Sequence, residues 1–194
     1  MRRAWLCALL IALLALAASA AGAEAALPPA ETAEPTGGEA GAPLPEAAAD
    51  AVSFDAARAG YAGVWVPFED GFQLYLPADW RAYELTDAQR EAGLFYRAGG
   101  DGADVAVGYV PADALSTAED LEADYRGAGF ADVARLSLNG IEAVGFSSPE
   151  AGYRGVAFFN PVWPDYVMAV YLAPLIAQDA ILRSLSPWAA APDA

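Results

Sequence analysis

Three short turn signals, each between two runs rich in apolar residues, constrain the fold more than any other feature of this sequence. Asn-Gly and Asp-Gly pairs readily adopt the positive φ angles of tight hairpin turns. The sequence therefore predicts three antiparallel hairpins. Their turns are Glu69-Asp70-Gly71, Gly99-Gly100-Asp101-Gly102 and Asn139-Gly140, and they join 64–68 to 72–76, 94–98 to 104–110, and 133–138 to 141–146.

Two further strands and up to four helices complete the prediction. The run Tyr166–Leu172 (YVMAVYL) is apolar on both faces, which indicates a central strand. Another strand is predicted over 153–159. A helix is predicted over 50–59 with Phe54 and Ala57 inward, and another over 86–92 with Thr86 or Asp87 as cap. A third helix is predicted from a capping box at Ser116-Thr117-Ala118-Glu119 to Gly127, with Ala118, Leu121 and Tyr125 inward. The last helix is predicted over 178–185, with Ile181, Leu182 and Leu185 inward.

This order of elements predicts an α+β fold. A single antiparallel β-sheet of about six to eight strands would be covered by two or three helices, as an α/β sandwich.

The first 20 residues have the three parts of a secretory signal peptide. Arg2-Arg3 is followed by an apolar run and then by Ala18-Ser19-Ala20. Cleavage is expected after Ala20, with Ala23 as second choice. The uncharged run of residues 4–23 is also just long enough for an uncleaved membrane anchor. Both alternatives place the rest of the chain outside the cytoplasm, secreted or at the cell envelope.

The composition divides the rest of the chain into three parts. Residues 21–50 are almost entirely Ala, Pro, Glu, Gly and Thr, so they are expected to form a flexible spacer. Residues 51–188 carry the aromatic and β-branched side chains of a single globular domain. Residues 189–194 are expected to fray.

The charged and nucleophilic residues exclude several classes of chemistry. The chain has 26 acidic residues, ten arginines, no lysine and no histidine, and its one cysteine, Cys7, lies in the signal segment. The mature domain cannot use Ser-His, Cys-His, Schiff-base or His/Cys zinc chemistry. No cofactor is expected. A formal net charge of −16 opposes binding to nucleic acid and to anionic lipid.

Carboxylates are the remaining candidates for catalysis or metal binding. Asp104 and Glu142 fall within predicted strands, and a glycosidase-like mechanism would need two acids about 5–10 Å apart. Asp101 and Asp104 are a candidate calcium pair in a Gly-rich turn. The competing interpretation is that each acid faces solvent. Four arginines on different predicted strands could converge on a phosphate or lie scattered over the surface: Arg81, Arg97, Arg135 and Arg154.

The segment Asn160-Pro161-Val162-Trp163-Pro164-Asp165-Tyr166 is the candidate contact site. An aromatic side chain between two prolines is stiff, and Trp and Tyr dominate interface hot spots. Trp163 and Tyr166 are therefore candidate partner contacts. The alternative is that Trp163 folds back over the end of the sheet and closes the core. Trp65 and Trp80 are expected to pack in the core or at an edge.

The domain resembles the PsbP-like domains over Val64–Trp188, a fold shared with Ran-binding nuclear transport factors and small bacterial envelope lipoproteins. The resemblance is one of element order. It is carried by GFQLYLPADWRAYEL, the hairpin through Asp104, the helix at Thr117 with Gly129 behind it, LNGIEAVGF, an aromatic strand pair and ILRSLSPW. It implies a binding or accessory module, and no site residue transfers from the family to this chain.

The sequence therefore predicts a non-catalytic binding or accessory domain, secreted or associated with the envelope. Its expected partner is another envelope or secreted protein, a peptide or a small ligand. Membrane contact is expected only through an uncleaved signal segment. The alternative function is an extracytoplasmic hydrolase that depends on carboxylates.

Overall fold

A computed structural model describes residues 53–113, 115–175, 177 and 179–188. The signal segment 1–20, the spacer 21–50 and the tail 189–194 lie outside the described residues. The described chain forms ten strands, all paired antiparallel. They are β1 Gly63–Phe68, β2 Phe72–Pro77, β3 Arg81–Ala82, β4 Leu94–Gly100, β5 Ala103–Pro111, β6 Ala131–Leu138, β7 Ile141–Ser148, β8 Tyr153–Phe159, β9 Tyr166–Ala173 and β10 Ser186–Pro187.

Three short α-helices and one 3-10 turn lie between these strands. The α-helices are α1 Asp87–Glu91, α2 Ala118–Gly127 and α3 Ala180–Arg183, and the 3-10 turn is Ala56–Arg58. The α+β class and the antiparallel pairing predicted from the sequence are thus confirmed. The helix predicted over 50–59 is wrong within the described residues, because only Ala56–Arg58 is helical and Ala57 is exposed.

The strands form two sheets, whereas the sequence predicted one. The large sheet has the order β3-β4-β5-β9-β8-β7-β6, and the small sheet has the order β1-β2-β10. The first hairpin separates because β2 buries Phe72, Leu74 and Leu76 on one face only, against the large sheet. Because side chains alternate between the two faces of a strand, apolar residues at every second position give the short sheet one apolar face, and that face packs on the larger sheet.

Strand β9 is central, as its apolar sequence predicts, because it is buried on both faces. Met168, Val170 and Leu172 join the core between the two sheets, which we call the inner cluster. Val167 and Ala169 face the other side of the large sheet. There they meet Leu121 and Tyr125 of α2 in the helix-side cluster. Helix α3 adds Ile181 and Leu182 to the inner cluster, so each face of the large sheet is covered.

All three predicted hairpins are present. Asn139 and Asp101 both adopt φ 51°, and the glycines that follow them adopt φ 92° and 77°. Such positive values are those that Asn, Asp and Gly tolerate best. Asn139 has a second role, since its side-chain amide donates to the carbonyls of Arg183 and Leu185 and fixes the chain after α3.

The capping box of α2 begins one residue later than the sequence predicted. Thr117 is the N-cap, and its hydroxyl accepts the Asp120 N–H at 3.1 Å while the Asp120 carboxylate accepts the Thr117 N–H at 3.1 Å. Ser116 also donates to that carboxylate. The pKa of Asp120 is lowered, first by the Thr117 side chain and then by the Ser116 backbone. This contribution to stability is complete above the ordinary Asp pKa and is lost as pH falls through the lowered value.

We expect Thr117→Ala to lower the free energy of unfolding by about 1 kcal/mol, the usual cost of losing an N-cap hydroxyl. Chemical denaturation of the full chain at neutral pH measures it. Ser116→Ala is the control and should cost clearly less, because Ser116 only assists the cap. A larger loss from Ser116→Ala than from Thr117→Ala would contradict the assigned cap.

Candidate functional site

The loop between β8 and β9, residues 160–165, is organised by one buried side chain. Asn160 is only 3 % exposed. Its Oδ1 accepts the N–H groups of Val162 and Trp163, both at 2.8 Å. Its Nδ2 donates to Asp70 Oδ1 at 2.8 Å and contacts Met168 Sδ at 3.2 Å. The amide therefore uses both its acceptor and its donor to hold the loop on the core.

The β1–β2 turn supports this loop from the other side. Gly71 adopts φ 86°, and a Cβ at this position would lie 3.0 Å from Val162 Cγ2 and 3.3 Å from Pro161 Cβ. Only glycine combines that backbone angle with so close an approach. The Asp-Gly turn is thus required by the neighbouring loop as well as by the hairpin.

Four large side chains remain exposed beside these supports. Trp163 is 62 % exposed, Val162 47 %, Tyr109 44 % and Tyr166 40 %. We call these four residues the aromatic end. The interpretation in which Trp163 folds back and closes the core is wrong, because Trp163 is exposed and belongs to neither core cluster. The two residues predicted as partner contacts, Trp163 and Tyr166, are close in the fold, since the Tyr166 N–H donates to the Trp163 carbonyl at 3.0 Å.

A continuous series of ring contacts joins the aromatic end to the core. Tyr166 meets Tyr109 edge to face, with ring centroids 5.4 Å apart, and Tyr109 lies 6.1 Å from Phe95. The series continues inward, and its remaining contacts are Phe95 with Phe68, Phe68 with Phe72 and Phe72 with Phe158. Exposed rings that rest on buried ones lose little conformational freedom when a partner binds.

A second aromatic group lies on the outer face of the small sheet. Trp65 is 40 % exposed and contacts Phe54 and Tyr75, with centroids 5.7 Å and 5.3 Å away. Its strand, β1, lies at the edge of the small sheet. This position agrees with the expectation that Trp65 packs at an edge and not with the alternative of packing in the core. Trp80 packs against the inner cluster.

The open edge of β1 offers few groups for pairing with another strand. Pro67 has no N–H, and the Gly63 N–H donates to Tyr75 Oη at 2.9 Å. Proline and satisfied donors are common protections of sheet edges. Strand addition at β1 is therefore a weaker candidate for partner binding than the aromatic end.

The two strand carboxylates do not form a catalytic pair. Strands β5 and β7 are separated by β9 and β8. The paired residues across these four strands are Ser147 of β7, Arg154 of β8, Leu172 of β9 and Val105 of β5, so Ser147 and Val105 lie in one line across the sheet. Glu142 lies five residues from Ser147. Strand spacings of about 4.8 Å and rises of about 3.4 Å therefore place Asp104 and Glu142 roughly 20 Å apart or more. Two carboxylates that act on one glycosidic bond need about 5–10 Å.

One member of the candidate calcium pair, Asp104, is already engaged in an ion pair. Asp104 Oδ2 accepts Arg97 Nε at 3.0 Å and also pairs with Arg97 Nη2. Asp101 lies in the hairpin turn and is exposed. Over the described ranges there is no group of three His, Cys, Asp or Glu side chains that could hold a metal ion.

The four strand arginines do not converge. Arg97 pairs with Asp104, Arg135 with Glu122 at 3.2 Å, and Arg154 with Asp179 at 2.9 Å. Arg81 is exposed on the edge strand β3. Glu122 also pairs with Arg126, at 2.7 Å. Each of these carboxylates serves a structural ion pair, so the arrangement resembles no phosphate site.

Two tyrosines have perturbed acidity. Burial raises the pKa of Tyr61, with a further contribution from Tyr75, and burial also raises the pKa of Tyr96. The Tyr61 hydroxyl donates to the Tyr75 carbonyl at 2.6 Å. Both phenols therefore stay protonated near neutral pH.

Sequence reasoning missed two residues of this site, Asn160 and Tyr109. Asn-Pro is a turn-initiating pair and could have directed attention to Asn160. The sequence pattern predicts Tyr109 only as a residue of the strand over 104–110. Its proximity to Tyr166 follows from the register in which β5 pairs with β9, and no local pattern encodes that register.

No protein-family model and no curated protein matches this chain. The resemblance to PsbP-like domains therefore stays a prediction. Within the part of the chain that the structure describes, no helix is both long and apolar enough to cross a bilayer.

Proposed function

We propose that this domain is a non-catalytic binding module that contacts a protein or peptide partner through the aromatic end. The observation that carries the proposal is Trp163, 62 % exposed on a loop that the buried Asn160 holds in place. A large exposed ring on a backbone that is already held in place supplies contact area at reduced entropic cost. The sequence pattern of residues 1–20 supports an extracytoplasmic location for this binding.

The carboxylate-dependent hydrolase stays the alternative function. Its two candidate acids, Asp104 and Glu142, would each need a different second carboxylate. No observation in the described residues favours that arrangement, so we develop the binding function alone.

We expect Trp163→Ala to weaken partner binding by more than about 30-fold, because hot-spot truncations cost about 2 kcal/mol or more. Stability should change by less than about 0.5 kcal/mol, since the side chain is exposed. The measurement is recovery of bound proteins from an envelope and secreted extract by the tagged full chain, with chemical denaturation alongside.

Trp65→Ala is the matched control, because Trp65 is also an exposed tryptophan but lies on the small sheet. A specific partner should be retained by Trp65→Ala and lost by Trp163→Ala. Equal recovery of every protein by wild type and Trp163→Ala would rule out the aromatic end as the contact surface.

A further inference from the structure

Three carboxylates border the aromatic end. Glu69 and Asp70 belong to the β1–β2 turn, which reaches the loop through Gly71 and through the Asp70–Asn160 hydrogen bond. Asp165 lies in the same turn as Trp163, and its carbonyl accepts the Ala112 N–H at 2.7 Å. Glu69 and Asp165 are exposed. Acidic residues are thus present both in the turn that supports the Trp163 loop and in the loop itself.

No arginine among the described residues forms an ion pair with any of these three carboxylates. Seven of the eight arginines after residue 50 form ion pairs with other acids, and none of the pairs between described residues includes Glu69, Asp70 or Asp165. Arg90 is connected to Tyr109 through Gly93, since the Gly93 N–H donates to the Arg90 carbonyl at 2.9 Å and the Gly93 carbonyl accepts the Tyr109 N–H at 3.0 Å. Its guanidinium is held by Asp87 at 3.0 Å.

We propose that the aromatic end recognises a cationic peptide segment, one that carries arginine or lysine side chains. This inference rests on the proposed binding function and names the chemistry of its partner. A guanidinium is attracted to the face of an indole or phenol ring, and carboxylates around the ring add to that attraction. The chain itself contains such a contact, because the Arg97 guanidinium lies 5.3 Å from the centre of the Tyr83 ring.

The charge of the whole domain favours the same class of partner. Residues 51–194 contain 20 acidic residues and 8 arginines, a formal charge of −12. A field of this sign accelerates encounters with cationic segments and suppresses acidic partners. It also repels anionic lipid, so insertion of Trp163 into a zwitterionic bilayer is the competing use of the same surface.

The test compares three peptides of equal length and spacing with the full chain. One carries three arginines, one carries citrulline at the same positions and one carries glutamate. Citrulline keeps the shape of arginine without its charge. We expect saturable binding of the arginine peptide only, with a shift of the Trp163 indole N–H resonance and none of Trp65. Raising the salt to about 1 M, where the Debye length is about 3 Å, should weaken that binding at least about tenfold.

Two variants and one control locate the binding. We expect Trp163→Ala to weaken the arginine peptide roughly tenfold and Asp165→Asn roughly threefold, as removal of one flanking charge does. Glu142→Gln removes the same charge from an exposed position on β7 and should change the affinity less than twofold.

Several outcomes would overturn the inference. These are equal binding of the citrulline and arginine peptides, an effect of Glu142→Gln as large as that of Asp165→Asn, and a Trp163 shift with phosphatidylcholine vesicles but with no peptide. The test distinguishes failure of this inference from failure of the proposed function. If Trp163-dependent capture of a partner persists while the arginine peptide fails to bind, the binding function stands and the cationic partner is wrong.

Discussion

Replacing Asn160 with alanine should lower the free energy of unfolding by about 2–4 kcal/mol and release the Trp163 loop. The amide is 3 % exposed and makes hydrogen bonds to Val162, Trp163 and Asp70. Each bond contributes roughly 0.5–1.5 kcal/mol net, and a buried partner left unsatisfied adds to the cost. Chemical denaturation measures the loss, and hydrogen exchange at Val162 and Trp163 reports the release of the loop.

Asn160→Asp is the informative companion to that variant. Its carboxylate keeps the acceptor for the two loop N–H groups but faces Asp70 where the Nδ2 donor stood. Two facing carboxylates raise the pKa of one of them. An acid with a raised folded pKa destabilises the protein fully above that pKa, and this destabilisation declines as pH falls from that pKa to the unfolded value. The deficit relative to wild type should therefore shrink as pH falls from 7 towards 4.

A deficit that is independent of pH in Asn160→Asp would contradict the contact with Asp70. Unchanged exchange rates in Asn160→Ala would contradict the role of Asn160 in the loop. The second result would also weaken the proposed function, because a mobile Trp163 would lose the low entropic cost that favours it as a contact residue.

Phe72→Ala should have the largest effect on the fold, a loss of about 3–5 kcal/mol. Phe72 is fully buried, lies 4.6 Å from Phe68 between ring centroids and meets Phe158 of β8 edge to face at 5.1 Å. It thereby joins the small sheet to the large one. Denaturant unfolding of the full chain, followed by tryptophan fluorescence and circular dichroism, measures the change.

Val64→Ala on the same hairpin is the control, because Val64 is exposed at the sheet edge. Its cost should stay within about 0.5 kcal/mol. A similar small cost for Phe72→Ala would mean that the small sheet is not packed on the large one. The support that the β1–β2 turn gives to the Trp163 loop would then fail as well.

Local sequence patterns predicted much of the fold. The turns at Asp101-Gly102 and Asn139-Gly140 were predictable because few residues tolerate their positive φ angles. The cap at Thr86 was predictable because a hydroxyl followed three residues later by a glutamine forms a capping box, which the structure contains. The central position of β9 was predictable because only a strand covered on both faces is apolar on both.

Other features depended on contacts that are distant in the sequence. The capping box at α2 had two candidate registers one residue apart, Ser116 with Glu119 and Thr117 with Asp120. The backbone path into the helix selected the second. The third strand of the small sheet, β10, was one of these features, because it pairs with β2 across more than 100 residues.

The antiparallel α+β class, the hairpins and the excluded chemistry follow from the sequence, because turn geometry, alternation and residue type act over a few neighbouring positions. The sequence also identified Trp163 and Tyr166 as candidate contacts. Three other features became evident from the folded chain: Trp163 is exposed, Tyr109 contacts Tyr166, and Asp104 pairs with Arg97. Those outcomes depend on the register between β5 and β9 and on hydrogen bonds such as Asn160 to Asp70, 90 positions apart. Contacts at such separations form only when the whole core assembles.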